Sequence, residues 1–132
     1  MIVDSSAALA VVLDEPESDA FSEAINQAER CLISSVSYLE SSMVVASRRG
    51  VAFFDELDAF LKTAGIDIAP FTMEHARIAR RAFANYGKGS HPAGLNFGDC
   101  ASYALAIIEG EPLLYKGSDF SKTDVEPARS QE

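Results

Sequence analysis

Asp4, Glu40, Asp99 and Asp119 are carboxylates far apart in sequence, each where an alternating strand–helix fold would gather them. Asp4 ends the apolar run Met1-Ile2-Val3, the pattern of a buried strand with an acid at its exit. Glu40 lies inside an apolar helical stretch, residues 36–46, with Val36 four positions before it and Val44 four after. A carboxylate on such a face is costly to bury unless a cation or hydrogen bonds satisfy it. Asp99 falls in the first turn of the most apolar helical stretch, and Asp119 follows the strand pattern of residues 112–115 across Gly117. Each acid also has a plainer use. Asp4 and Asp99 suit helix starts, Glu40 could face solvent, and Asp119 could be a turn residue with Asp124 as its competitor. Together they fit a hard divalent cation with oxygen ligands and retained waters better than four coincidences.

Mg²⁺ or Mn²⁺ held in this way can activate a bound water and neutralise charge on a phosphoryl group. Other chemistries lack their residues. There is no GxSxG, no Walker A and no GxGxxG, and both histidines, His75 and His91, lie in a basic stretch rather than beside a nucleophile. Metal-assisted phosphodiester hydrolysis is what remains.

Charge distribution points the same way. The 132-residue chain carries a net charge of −9, which by itself argues against a polyanionic partner. Between His75 and Gly98, however, there is no acid at all, and Arg77, Arg80, Arg81 and Lys88 give that stretch a charge of +4. A basic strip on an acidic protein can steer a phosphate backbone. Arg77, Arg80, Arg81, Lys88 and His91 are therefore the candidate contacts to such a backbone, with a solvated helix face as the alternative.

The elements that must hold these residues alternate. Residues 1–4 read as a strand, with Ser5 or Ser6 able to cap a helix over 7–13. Pro16 opens a helix to about Glu29, residues 31–33 form a short strand, and Ser37 starts a helix that ends near Gly50. A helix over 51–64 carries Phe53, Phe54, Leu57, Phe60 and Leu61 on one face, more apolar surface than one small core is expected to absorb. It is therefore a candidate partner surface, with core packing as the plainer alternative. A strand over 66–69 precedes a basic helix capped by Thr72, then a glycine-rich loop over 87–95. Asn96 caps the helix over 97–109, with Asp99 completing the cap. A strand over 112–115 follows, then a further one near Val125. This order implies parallel crossovers, helices on both sheet faces and a ligand at the strands' carboxyl ends.

One domain over residues 1–127 is expected, with 128–132 a frayed tail. Hydrophobic residues make up 48% of the chain, so a disordered protein is excluded. No apolar run approaches the roughly 18 residues of a membrane span, and Asp4 would interrupt a signal peptide. A cytoplasmic location is expected, with Cys31 and Cys100 as buried thiols rather than a disulfide framework or zinc site.

The opening MIVDSSAALAVVLDEPE, the stretch LISSVSYLESSMVVASRRG and above all HPAGLNFGDCASYALAIIEGEPLLYKGSDFSKTDV resemble a PIN domain. More closely, they resemble the toxin ribonuclease of a VapBC-type toxin–antitoxin pair, over Met1 to about Val125. The resemblance implies a three-layer α/β/α sandwich with a central parallel sheet and Mg²⁺- or Mn²⁺-dependent endoribonuclease activity. It assigns the acidic cluster to Asp4, Glu40, Asp99 and Asp119, with Ser6 and Asp124 in supporting roles. It also implies a cognate antitoxin, a second copy of the chain in a homodimer, and structured RNA (a tRNA or a ribosomal RNA loop) as target.

Two rivals come from other classes. A receiver-like phospho-signalling domain shares the length and acidic Mg²⁺ site, but it needs adjacent acids after its first strand and a phospho-acceptor ending its middle strand. Here serines follow Asp4, and Asp55 lies in a helical pattern. A haloacid-type phosphatase needs an acid where Ser6 stands. A catalytically silent PIN-like binding module would lack one of the acids, and all four are present.

Overall fold

In the computed structural model, which describes residues 1–128, four short strands form one wholly parallel sheet in the order β3-β2-β1-β4. These are β1 (Ile2–Val3), β2 (Cys31–Ser34), β3 (Ile66–Ala69) and β4 (Leu113–Leu114). Six helices connect them: α1 (Ser5–Val12), α2 (Ser18–Gln27), α3 (Ser35–Arg49), α4 (Phe54–Thr63), α5 (Met73–Tyr86) and α6 (Phe97–Glu109).

The strands' side chains alternate between faces and so build two cores. Val3, Ile33 and Leu114 pack with residues of α1 to α4, among them Ala8, Phe21, Val45 and Leu57. Ile2, Leu32 and Leu113 pack on the other side with Ala82, Tyr103, Leu105 and Phe120. The result is the expected α/β/α sandwich. The chain runs from β1 outward through β2 to β3, then returns to place β4 on β1's other side. That reversal puts the topological switch point at the carboxyl ends of β1 and β4, the favoured ligand position in such sheets. There the Lys116 N–H, just past β4, donates to Ser6 Oγ at 3.0 Å.

Several boundaries differ from the sequence reading. Asp4 itself caps α1, so the helix begins at Ser5. The second helix begins at Ser18 rather than Pro16, and Ser34 rather than Ser37 caps α3. Residues Val51–Phe53 form a 3-10 turn ahead of α4. In place of a full strand near Val125, Pro127 makes a single parallel bridge to Leu113. Ala128 donates its N–H to Leu113 O at 2.9 Å, and the rest of the expected tail, residues 129–132, lies outside the described residues.

The aromatic face of α4 is mostly core, not free surface. Leu57 and Leu61 are buried, and Phe53 and Phe60 pack against the first core. Phe54 alone of that face stays exposed, and more exposed apolar side chains stand elsewhere, among them Leu39 and Met43 of α3, 60% and 64% exposed. Cys31 and Cys100 are free and buried, as expected. Among the described residues no helix is long and apolar enough to cross a membrane.

Candidate active site

Asp4 is placed by the end of β1 and fixed by serines. Its Oδ2 accepts from the Ser6 N–H at 3.0 Å and the Ser6 hydroxyl at 2.6 Å, while Oδ1 accepts from the Ser102 hydroxyl at 2.5 Å. Ser102 is fully buried in α6 and shares a 3.0 Å hydrogen bond with the equally buried Ser37 of α3. The 3%-exposed carboxylate thus has both oxygens satisfied, which is what makes its burial tolerable.

Glu40 enters from the second turn of α3 and accepts the Ser5 hydroxyl on Oε1 at 2.5 Å. Its carboxylate lies directly over the α-carbon of Gly98. A methyl group there would fall 2.6 Å from Oε1 and 2.7 Å from Cδ.

Asp99 occupies the third position of α6, where it forms a capping box with Asn96. The Asp99 N–H donates to Asn96 Oδ1 at 2.9 Å, and the Asn96 N–H donates to Asp99 Oδ2 at 3.1 Å. Burial pushes the Asp99 carboxyl up to about 7, the Asn96 N–H opposes this, and the charges of Asp4, Asp119 and Glu40 add to the rise. The electrostatics of Asp99 therefore register all three other predicted acids. Asp119 stands exposed before the 3-10 turn Phe120–Lys122.

Among the described residues no three His, Cys, Asp or Glu side chains stand close enough to cage an ion as they are. Serine hydroxyls, rather than a shared centre, orient Asp4 and Glu40. The donor set nonetheless fits a hard divalent cation. All four groups are carboxylates, their charges repel at Asp99, and none of the ion pairs among the described residues supplies a Lys or Arg to them. A groove of about 740 Å³ lies elsewhere. It is lined by Met1, Arg30, Glu111 and Pro112 at the opposite sheet edge.

The remaining candidates separate. Ser6 orients Asp4 and ties down the loop after β4. Asp124 accepts the Tyr103 hydroxyl at 2.5 Å and is not among the charges that act on Asp99. Arg77, Arg80 and Arg81 lie exposed on α5 and Lys88 just beyond it, none of them in an ion pair among the described residues. His91 takes the Ala93 N–H on Nδ1 at 3.0 Å and sets its ring edge-on to Tyr86, while His75 is buried against Phe71.

The sequence model of the PIN domain matches residues 1–126. Ribonuclease VapC28 of Mycobacterium tuberculosis is 47% identical over 129 residues, 97% of each chain. The chain belongs to the PIN-domain family, and within it to the VapC ribonucleases. Ribonuclease VapC30 of the same organism is 45% identical over 125 residues, 95% of each chain. A VapC ribonuclease of Mycolicibacterium smegmatis is 43% identical over 125 residues, 95% of this chain and 97% of the other. The fold superposes on M. tuberculosis VapC20, a sarcin-ricin loop cleaving toxin, with a TM-score of 0.77 at 14% identity, covering 94% and 95% of the two chains. VapBC2 of Rickettsia felis, solved on a promoter DNA fragment, gives a TM-score of 0.75 at 15% identity, covering 96% and 94%.

Residues that the sequence did not mark as site residues surround the candidate acids. Ser5, Ser37 and Ser102 orient the acids, and Gly98 makes room for Glu40. The available signal was a serine three residues after Asp99 in an otherwise apolar helix, and a glycine in that helix's first turn.

Proposed function

We propose that this protein is an endoribonuclease toxin of a toxin–antitoxin pair, with Asp4, Glu40, Asp99 and Asp119 as its metal-binding and catalytic residues. The observation that supports the site assignment is that Asp4, through Ser102, and Glu40, over Gly98, both meet the first turns of α6, the helix that carries Asp99. Its ribonuclease relatives carry the activity. A bound Mg²⁺ or Mn²⁺ supplies an activated water and neutralises charge on the scissile phosphate. Asp4 and Glu40, held rigid by serines, fix the inner wall of the site. Asp99, held by Asn96, presents a carboxyl able to gain or lose a proton near neutral pH. Ser6 and the Lys116 N–H keep the loop that leads to Asp119 against β1.

RNA reaches the acids along the cationic strip of Arg77, Arg80, Arg81 and Lys88, with His91 at its end. Structured RNA, a tRNA or a ribosomal RNA loop, is the target class. The antitoxin covers the apolar groove of about 470 Å³ lined by Val11, Val12, Ile25, Ala59 and Phe60. The chain pairs with a second copy through exposed apolar side chains such as Leu39 and Met43 of α3.

Sequencing of RNA 5′ ends after brief induction in cells tests the activity. Discrete new ends are expected from the native chain and none from Asp99→Asn. An identical pattern from both would overturn the site assignment, and no new ends from either would overturn the activity.

A further inference from the structure

Asp119 is the least constrained of the four acids. It stands exposed on the irregular segment of residues 116–125, and its side chain caps nothing. What fixes it must therefore act through that segment's backbone. At the near end the Lys116 N–H is bonded to Ser6 Oγ, and in the middle buried Phe120 packs on Tyr115 with ring centroids 5.1 Å apart. At the far end the Tyr103 hydroxyl donates to Asp124 Oδ1 at 2.5 Å.

Tyr103 follows Asp99 by four residues in α6, so the two share one helix face about 6 Å apart along the axis. The segment likewise presents two acids, Asp119 beside Asp99 electrostatically and Asp124 bonded to Tyr103. The Tyr103–Asp124 hydrogen bond thus ties the helix face that bears Asp99 to the segment that bears Asp119. The Tyr103–Asp124 contact is charge-assisted and short. Tyr103 is 8% exposed, leans on Tyr86 at 5.9 Å and, with Arg81 and Asn85, lines a small cavity between α5 and α6. Burial first, then the bond to Asp124, pushes the Tyr103 phenol up, so it remains a donor at any working pH.

We propose that Tyr103 is a positioning residue for the acidic site: through Asp124 it clamps the 116–125 segment to α6 and sets where Asp119 stands relative to Asp99. Asp124 is on this account an anchor and not a ligand. The inference rests on the reading of the four acids as a cation site.

Tyr103→Phe keeps the ring and its packing and removes only the hydroxyl. The test is calorimetric Mn²⁺ titration of the full chain as native protein, Tyr103→Phe, Asp119→Asn and the double variant, with melting of each in chelator. Loss of an outer-shell partner typically lowers metal affinity about 10- to 100-fold, and that is the fall expected for Tyr103→Phe. Because Tyr103 acts through Asp119, the double variant should bind no more weakly than Asp119→Asn alone. A merely structural hydroxyl would lower the melting temperature and leave Mn²⁺ affinity unchanged, which would overturn the proposal, as would losses that multiply in the double variant.

Asp124→Asn keeps an oxygen that can accept the phenol proton and should bind Mn²⁺ almost as the native chain does, whereas Asp124→Ala should match Tyr103→Phe. This pair carries the test if Tyr103→Phe fails to fold. A fall for Asp124→Asn as deep as that for Asp119→Asn would make Asp124 a ligand and overturn the anchor role. If the native chain binds no Mn²⁺ at millimolar concentration, the cation reading itself fails and takes the clamp with it. Native binding with an unaffected Tyr103→Phe defeats the clamp alone.

Discussion

The carboxylate of Glu40, on α3, rests on the α-carbon of Gly98, on α6, at a distance that leaves no room for a side chain. Gly98 lies in an ordinary helical turn with no positive φ, so nothing in the backbone asks for glycine. Alanine would favour the helix by about 1 kcal/mol, yet its methyl would collide with Oε1 and Cδ of Glu40. Gly98→Ala should therefore retain a cooperative melt while Glu40 is displaced from its bond to Ser5 and RNA cleavage falls. The check is cleavage rate beside melting temperature. Full activity with an unchanged melt would mean that the position of Glu40 is immaterial.

Asp99→Asn separates charge from capping. The amide keeps an oxygen for the Asn96 N–H, and the Asp99 backbone N–H still reaches Asn96 Oδ1, so the capping box survives. What disappears is one negative charge in a group of four that repel. The metal-free variant should melt at the native temperature or above it, while cleavage drops by more than about 100-fold as a cation ligand is lost. A residue that only caps would show the reverse, a stability cost of at most about 1 kcal/mol and nearly intact cleavage.

The same residue gives the metal-free protein a pH dependence of definite sign. An unfolded aspartate titrates near 4, whereas burial lifts folded Asp99 to about 7. Between those values the folded chain holds a proton that the unfolded chain has released. Stability from this group is thus greatest below about pH 4, declines as pH rises to about 7 and then levels off. Urea midpoints in chelator at pH 5 and pH 8 should differ more for the native chain than for Asp99→Asn. Mn²⁺ competes with that proton, so its affinity should rise with pH up to about 7. Parallel pH profiles for the two proteins would show that Asp99 does not carry the shift.

The parallel sandwich was legible because each strand is a short apolar run and each crossover contains a helical pattern, from Ile2-Val3 to Leu113-Leu114. The four acids stood out as candidates for a related reason: a charge beside an apolar run has few cheap explanations. What escaped was local competition. Asp4, Ser5 and Ser6 are all good caps, and sequence could not tell which one takes the first turn. The structure gives the cap to Asp4 and turns Ser5 toward Glu40. Ser102 read as filler because hydroxyls are commonplace in a helix until a buried carboxylate is known to face them. The aromatic side of α4 looked too large for one core, yet Phe53, Leu57, Phe60 and Leu61 all join the core on one sheet face, and Phe54 stays partly exposed. His75 looked like part of the basic strip, but its place three residues after the Thr72 cap turns it inward against Phe71.

The cationic strip can be tested without disturbing the acids. Arg77 and Arg80 are exposed, three residues apart on α5, and in no ion pair among the described residues. They are better probes than Arg81, whose charge acts on Tyr103 and which lines the cavity next to Asp124. A cation that meets a phosphate releases counterions and contributes about 0.7 to the slope of log affinity against log salt for single-stranded RNA. Replacing both arginines by alanine should weaken RNA binding most at low salt and flatten that slope by about 0.7 for each phosphate left without its arginine. Mn²⁺ affinity should stay at the native value, because neither side chain is paired with any of the four acids. Binding to an RNA oligonucleotide at three salt concentrations reads the slope directly. An unchanged slope would leave α5 as a solvated face and move the RNA path elsewhere on the molecule.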